Sequence, residues 1–135
     1  CRNYLMSHFS TVKTQLRKKE PLLQALIDLG YVPEKGQRLI RGYRGQTVEA
    51  ELAVSTKEGS DIGFRLNTNT NTYELVTDLD LWRQSVPIER FLSQLTQRYA
   101  LNTVLEATAS EGFEVSKQTN NIDGSIDLVV TRWDA

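Results

Sequence analysis

The sequence predicts an α+β fold: one mainly antiparallel sheet in the order β-α-β-β-β-α(α)-β-β, with the helices packed on one face. Three observations carry this. The two apolar stripes at helical spacing are segregated along the chain and do not alternate with single strands. Three consecutive period-two segments in the middle are joined by connections far shorter than the dozen or so residues a parallel crossover needs. The 135 residues, 39% apolar and 24% charged, are the composition of one globular domain, which at this size hides roughly two-thirds of its unfolded surface.

The elements follow in order. Residues 1–5 precede Met6, the natural start, and are expected to be an extraneous leader, leaving a single domain over 6–135. The run 8–16 is rich in β-branched and aromatic residues and predicts a first strand. Leu22, Leu23, Leu26 and Ile27 form one helical stripe, with Pro21 in the first turn and Gly30 just past the end. Residues 31–45, with Pro33, Gly36, Gly42 and Gly45, predict loop around a short extended piece at 38–41. Val48, Ala50, Leu52 and Val54 then alternate with polar neighbours as a half-buried strand, and Ile62, Phe64 and Leu66 give its hairpin partner. The Asn-Thr repeat at 67–72 predicts a turn. The strand beyond it is expected to place Tyr73, Leu75, Thr77, Leu79 and Leu81 on one face, and Asp78 and Asp80 on the other. Pro87 opens a helix with Ile88, Phe91, Leu92, Leu95 and Tyr99 on its stripe, continuing as one bent element or two to Gly112. A final hairpin of 114–119 and 125–133 turns at Asp123-Gly124, with Ile126, Leu128 and Val130 toward the core.

Charge and motif content narrow the function. One Cys and one His exclude a disulfide framework, a Cys/His zinc site within the chain and a Cys-x-x-Cys redox motif. No apolar run approaches the ~20 residues that cross a bilayer. A soluble chain in a reducing compartment is therefore expected. The net charge of −1 hides a split: residues 1–46 carry nine basic against three acidic groups, a net of +6, and the remainder is −7. Within the basic part, Arg38, Arg41 and Arg44 recur every three residues with Tyr43 between them, where guanidinium forks and a ring would meet acidic or phosphate groups. The other reading is that these arginines pair with acidic strands, Glu49 and Glu51 included.

Any histidine-dependent mechanism must run through His8, either as a reactive group or as a hydrogen-bonded residue at a strand end. Asp78 and Asp80, two apart on one strand face, would reach one hard cation, with Asp61 as a third ligand, or would form a solvated acidic face. Trp82 and Trp133 are interface anchors if exposed and core or rim packing otherwise. Phosphate-loop, dinucleotide, nucleophile-elbow and zincin motifs are absent. No catalytic residue, metal or cofactor is therefore expected. The leading expectation is a non-enzymatic interaction module that meets a protein partner through Arg38, Arg41, Tyr43, Arg44 and His8. RNA binding by the same loop is the alternative, and a small enzyme or metal site at His8 or the Asp78 and Asp80 pair comes third.

As strings, Met6-Ser7-His8-Phe9-Ser10-Thr11, Asp61-Ile62-Gly63-Phe64, Tyr73-Glu74-Leu75-Val76-Thr77-Asp78 and Gln97-Arg98-Tyr99-Ala100 resemble the conserved chloroplast open reading frame thirty-five family, a domain of unknown function of cyanobacteria and algal plastids. The resemblance runs from Met6 to about Trp133. It implies a location, the cytoplasm or plastid stroma of an oxygenic phototroph, and no reaction. It carries over no catalytic residues. The Asn-Thr repeat at 67–72 departs from the Gly-rich turn the resemblance leads one to expect.

Overall fold

A computed structural model describes residues 9–41, 47–56 and 59–132, with backbone alone at 35, 37, 38, 47 and 48. It falls into two compact units, residues 1–99 and 100–135. The first contains β1 (Ser10–Lys13), α1 (Lys19–Asp28), β2 (Pro33–Arg41), β3 (Thr47–Val54), β4 (Ile62–Asn67), β5 (Thr72–Thr77), a 3-10 turn (Leu79–Leu81) and the start of α2 (Ile88–Ser110). The second contains the rest of α2 and the hairpin β6 (Phe113–Asn120) and β7 (Ile126–Arg132). The α+β class and its antiparallel sheet are as the sequence predicts. No helix among the described residues is long and apolar enough to cross a membrane.

In the first unit, five antiparallel strands lie in the order β1-β5-β4-β3-β2. Strands β2 to β5 form a meander, and α1 carries the chain from β1 at one edge to β2 at the other. The inner face, with Leu52, Val54, Ile62, Phe64 and Leu75, packs against Leu22, Ala25 and Leu26 of α1 and against Phe91 and Leu95 of α2. Both helices thus cover the same face. Helix α1 ends in a Schellman arrangement: Tyr31 N–H donates to the Leu26 carbonyl at 3.0 Å and Gly30 N–H to the Ile27 carbonyl at 2.9 Å. Its N-terminal residue Lys18 offers no side-chain cap. The Tyr99 hydroxyl accepts from the Arg17 and Lys18 N–H groups at 3.0 and 2.9 Å instead.

Strand β2 is nine residues long where a loop with a four-residue strand was expected. The glycine that suggested a loop sits in a bulge: the register slips between Lys35 and Arg38, so Gly36 and Gln37 oppose Glu51 alone. Strand β3 also changes course there. It pairs with β4 only over Leu52–Val54, and the Glu51 carboxylate accepts the Leu66 N–H at 2.7 Å where a backbone partner would stand.

Beyond the bulge, the β2-β3 hairpin folds back over the outer face. Ile40 and Ala50 join Ala53 and Val76 in a second buried cluster, with Phe9 packed beside it. Gly63 makes this possible, since a Cβ there would lie 2.9 Å from both the Ala50 Cβ and the Ile40 Cδ1. The simple alternation expected of Ala50, Leu52 and Val54 is therefore broken. Ala50 faces one cluster, whereas Leu52 and Val54 face the other.

Strand β5 ends at Thr77, so Leu79 and Leu81 are not strand residues as the alternation suggested. Asp78 instead caps the 3-10 turn, its carboxylate accepting the Asp80 N–H at 3.1 Å. In the second unit, β6 and β7 form a separate two-stranded sheet, where a single sheet was expected. Their loop spans 121–125, because Asn121 and Asp123 bond Ser125 and extend the Asp-Gly turn. Ile126 and Leu128 are half-buried, whereas Val130 is exposed and not a core residue.

Candidate functional site

The folded-back hairpin is held at its end by a polar clasp. Arg41, the last residue of β2, donates from its backbone N–H to Asp61 Oδ2 at 2.7 Å and accepts from the Asp61 N–H at 2.9 Å. Its guanidinium adds a two-pronged contact, Nε to Oδ2 at 3.1 Å and Nη2 to Oδ1 at 2.8 Å. Nη2 also donates to the Thr56 carbonyl at 2.9 Å, and the Thr56 N–H donates to Oδ1 at 3.3 Å. The Asp61 carboxylate therefore accepts four hydrogen bonds, as a buried carboxylate must.

The partners differ in exposure: the Asp61 side chain is 4% exposed and that of Arg41 58%. The carboxylate, through its hydrogen bonds and charge, holds the Arg41 guanidinium still more firmly protonated than usual. Its two Nη1 hydrogens carry no partner among the described residues.

Behind the clasp, the Ser60 hydroxyl lies within 3.0 Å of the Arg41 carbonyl and 2.9 Å of the Asp61 carbonyl, and accepts the Asp78 N–H at 3.1 Å. Thr77, fully buried, donates to the Asp61 carbonyl at 3.0 Å. Ser60 is thus a buried junction whose proton goes to backbone carbonyls and whose oxygen accepts from the Asp78 N–H and the Thr77 hydroxyl. Gly59, at φ +79°, brings the chain in so closely that a Cβ would stand 2.0 Å from the Leu81 carbonyl oxygen. That approach lets the Ser60 N–H reach the same oxygen at 3.0 Å.

Of the predicted site residues, Arg41 is the one whose side chain is described. Arg38 pairs with Ala50 in β2, its side chain outside the described residues, and His8, Tyr43 and Arg44 lie outside them altogether. Glu51 serves the Leu66 N–H, and Glu49 is exposed opposite Leu39. Asp78 and Asp80 do not share a strand face: Asp78 is buried in the cap of the 3-10 turn and Asp80 is exposed. Among the described residues, no group of three His, Cys, Asp or Glu could hold a metal. Trp82 is half-buried, edge-on to Phe91 at 5.4 Å, with its indole N–H donating to the Val86 carbonyl at 2.8 Å. Trp133 lies outside the described residues. Asp61 is the residue that sequence reasoning placed wrongly, as an outlying metal ligand. Its partner Arg41 lies twenty positions away, at the end of the piece 38–41 that the sequence predicts as extended.

Comparison with known proteins places this chain in a family. A family model described as "Protein of unknown function (DUF1257)" matches residues 25–129. The uncharacterized protein ycf35 of Pyropia yezoensis is 37% identical over 128 residues, covering 95% of this chain and 98% of that relative. Those of Guillardia theta and Cyanophora paradoxa are 38% and 37% identical over the same shares of each chain. No solved structure matches the chain. With a family model over most of its length and relatives of this identity covered almost end to end, the chain belongs to the ycf35 (DUF1257) family.

Proposed function

We propose that the protein is a non-enzymatic accessory module of oxygenic phototrophs that captures an acidic protein partner at the end of the β2-β3 hairpin. The observation supporting this is the state of Arg41. A nearly buried carboxylate fixes its guanidinium in place, while more than half the side chain is exposed and the Nη1 hydrogens have no partner among the described residues. A cation oriented before its partner arrives loses little side-chain entropy on binding. Arg38, Tyr43, Arg44 and His8 would extend the same surface, and the +6 charge of residues 1–46 would draw an acidic partner toward it. The proposed location is the plastid stroma or the cyanobacterial cytoplasm.

Because Arg41 also holds the fold together, the test uses Arg44→Glu and Arg38→Glu. Tagged wild-type chain and the two variants are incubated with phototroph lysate, each sample split into nuclease-treated and untreated halves. Circular dichroism verifies that the variants fold. A protein partner retained after nuclease and lost from both variants is the expected result. Equal capture by the variants would overturn the surface. Recovery of RNA, falling steeply with salt, would replace the protein partner with a nucleic acid.

A further inference from the structure

Apart from the hairpin end, the first unit contains a cleft of about 470 Å³, within the range of small-molecule sites. Three segments line it: Gly30, Tyr31 and Val32 after α1; Val54, Ser55 and Thr56 at the end of β3; and Arg83 with Gln84 after the 3-10 turn. Each wall is fixed by an interaction already described or close to one. Tyr31 is set by the Schellman hydrogen bond to Leu26 and by its edge-on contact with Phe91 at 5.4 Å and 88°. Thr56 is tied into the Arg41–Asp61 clasp.

Arg83 is the informative residue. Its Nη1 donates to the carbonyl oxygens of Asp80 and Trp82, both at 3.1 Å, and its stem runs against Gly59, where a Cβ would meet the Arg83 Cγ at 2.7 Å. The head is thus oriented by neutral acceptors. Among the described residues no carboxylate pairs with it, and Nε and Nη2 make no hydrogen bond. Among the described residues lining the cleft it is the one charged residue. Next to it, the Ser55 hydroxyl and the Gln84 amide make no hydrogen bond among the described residues. The apolar part of the lining is the Tyr31 ring, Val54, and Val32, which is 80% exposed.

We propose that this cleft binds a small carboxylate with an apolar body: the carboxylate meets the free edge of the Arg83 guanidinium, and the body covers Val32 and Tyr31. A guanidinium edge and a carboxylate match in a two-pronged geometry that a neutral group does not reproduce. Ser55 and Gln84 would receive the ligand's second polar group. The same chemistry is offered by a free organic acid and by the C-terminal residue of a peptide. Thr56 joins the lining to the clasp through Arg41 and Asp61, but the groups that would touch the ligand, on Arg83, Tyr31, Val32, Ser55 and Gln84, are not those of the partner surface.

The experiment is titration of the isotope-labelled full chain, followed by amide chemical shifts. The probes are 3-phenylpropionate, its neutral amide, and acetyl-Ala-Ala-Phe with a free or an amidated C-terminus. Saturating shifts at Tyr31, Val32, Ser55 and Gln84 with an acid, at least about tenfold weaker with its amide, are expected. A response to 3-phenylpropionate alone identifies a free organic acid as the ligand type, and a response to the free-ended peptide alone identifies a chain terminus. Arg83→Gln should weaken either acid by about tenfold or more. Ser55→Ala, removing a hydroxyl that makes no hydrogen bond among the described residues, should retain acid-over-amide selectivity. No saturating shift from either acid up to about 10 mM would overturn the proposal. So would equal binding of acid and amide by the wild-type chain, a comparison that holds even if Arg83→Gln fails to fold.

Discussion

The unequal burial of the clasp partners predicts unequal costs of removing them. In Asp61→Ala, four donors lose their acceptor. The Arg41 backbone N–H is partly buried at the end of the folded-back hairpin, and leaving it unsatisfied costs about 1–3 kcal/mol. The guanidinium is 58% exposed and returns to water, so its share is that of a surface ion pair, about 0–1 kcal/mol. Together these give about 1–4 kcal/mol. Arg41→Ala removes only the exposed partner. Asp61 keeps the N–H groups of Arg41 and Thr56, and the expected cost is about 1 kcal/mol. Urea denaturation monitored by circular dichroism reads the difference. With a denaturant slope of about 1–3 kcal/mol/M, Asp61→Ala should lower the midpoint by about 0.5–2 M, and Arg41→Ala by less. Equal shifts for the two variants, or an Asp61→Ala cost below about 0.5 kcal/mol, would refute the reasoning.

Gly63→Ala should cost about 1–3 kcal/mol by overpacking against Ile40 and Ala50, and Ile40→Val, which deletes the clashing Cδ1, should recover part of it in a double-mutant cycle. Tyr99→Phe should cost about 1 kcal/mol in thermal or urea unfolding, because the exposed start of α1 loses the hydroxyl that accepts its N–H groups. Burial raises the phenol pKa of Tyr31 and of Tyr73, so both favour the neutral form in the folded chain. Their stabilising contribution is complete below the ordinary value of about 10 and is lost as pH rises through the raised values; unfolding midpoints measured across that window should fall, and less steeply in Tyr73→Phe. Gly59→Ala should cost at least about 2 kcal/mol in the same assays, since both its positive φ and the Leu81 carbonyl stand against a side chain.

Local signals carried most of the fold. The stripe of Leu22, Leu26 and their neighbours, the Pro87 start of α2 and the alternation around Phe64 and Leu75 each report a burial pattern set by near neighbours in sequence. The failures occur where a distant contact overrides the local pattern or a short-range cap interrupts it. Gly36 suggested a loop, yet it sits in the bulge from which the hairpin bends. Ala50 suggested plain alternation, but the space above Gly63 turns it to the opposite cluster. Asp78 suggested a strand face, while an interaction only two residues long, to the Asp80 N–H, ends the strand. The site divides in the same way. Arg41 was visible as one of three spaced arginines, but its partner Asp61 was not, because nothing in linear spacing joins the end of one strand to the start of another twenty residues later. The cleft beside Arg83 had no sequence signature, being assembled from three connecting segments.

The account rests on the clasp holding the distal β2-β3 hairpin against the outer face of the sheet. Native-state hydrogen exchange on wild type and Asp61→Ala tests it most directly. The expected result is protection lost selectively over residues 38–41 and 47–50, with the amides of α1 and of the β4-β5 pair keeping theirs. Uniform loss across the first unit, or unchanged protection in the hairpin, would contradict it.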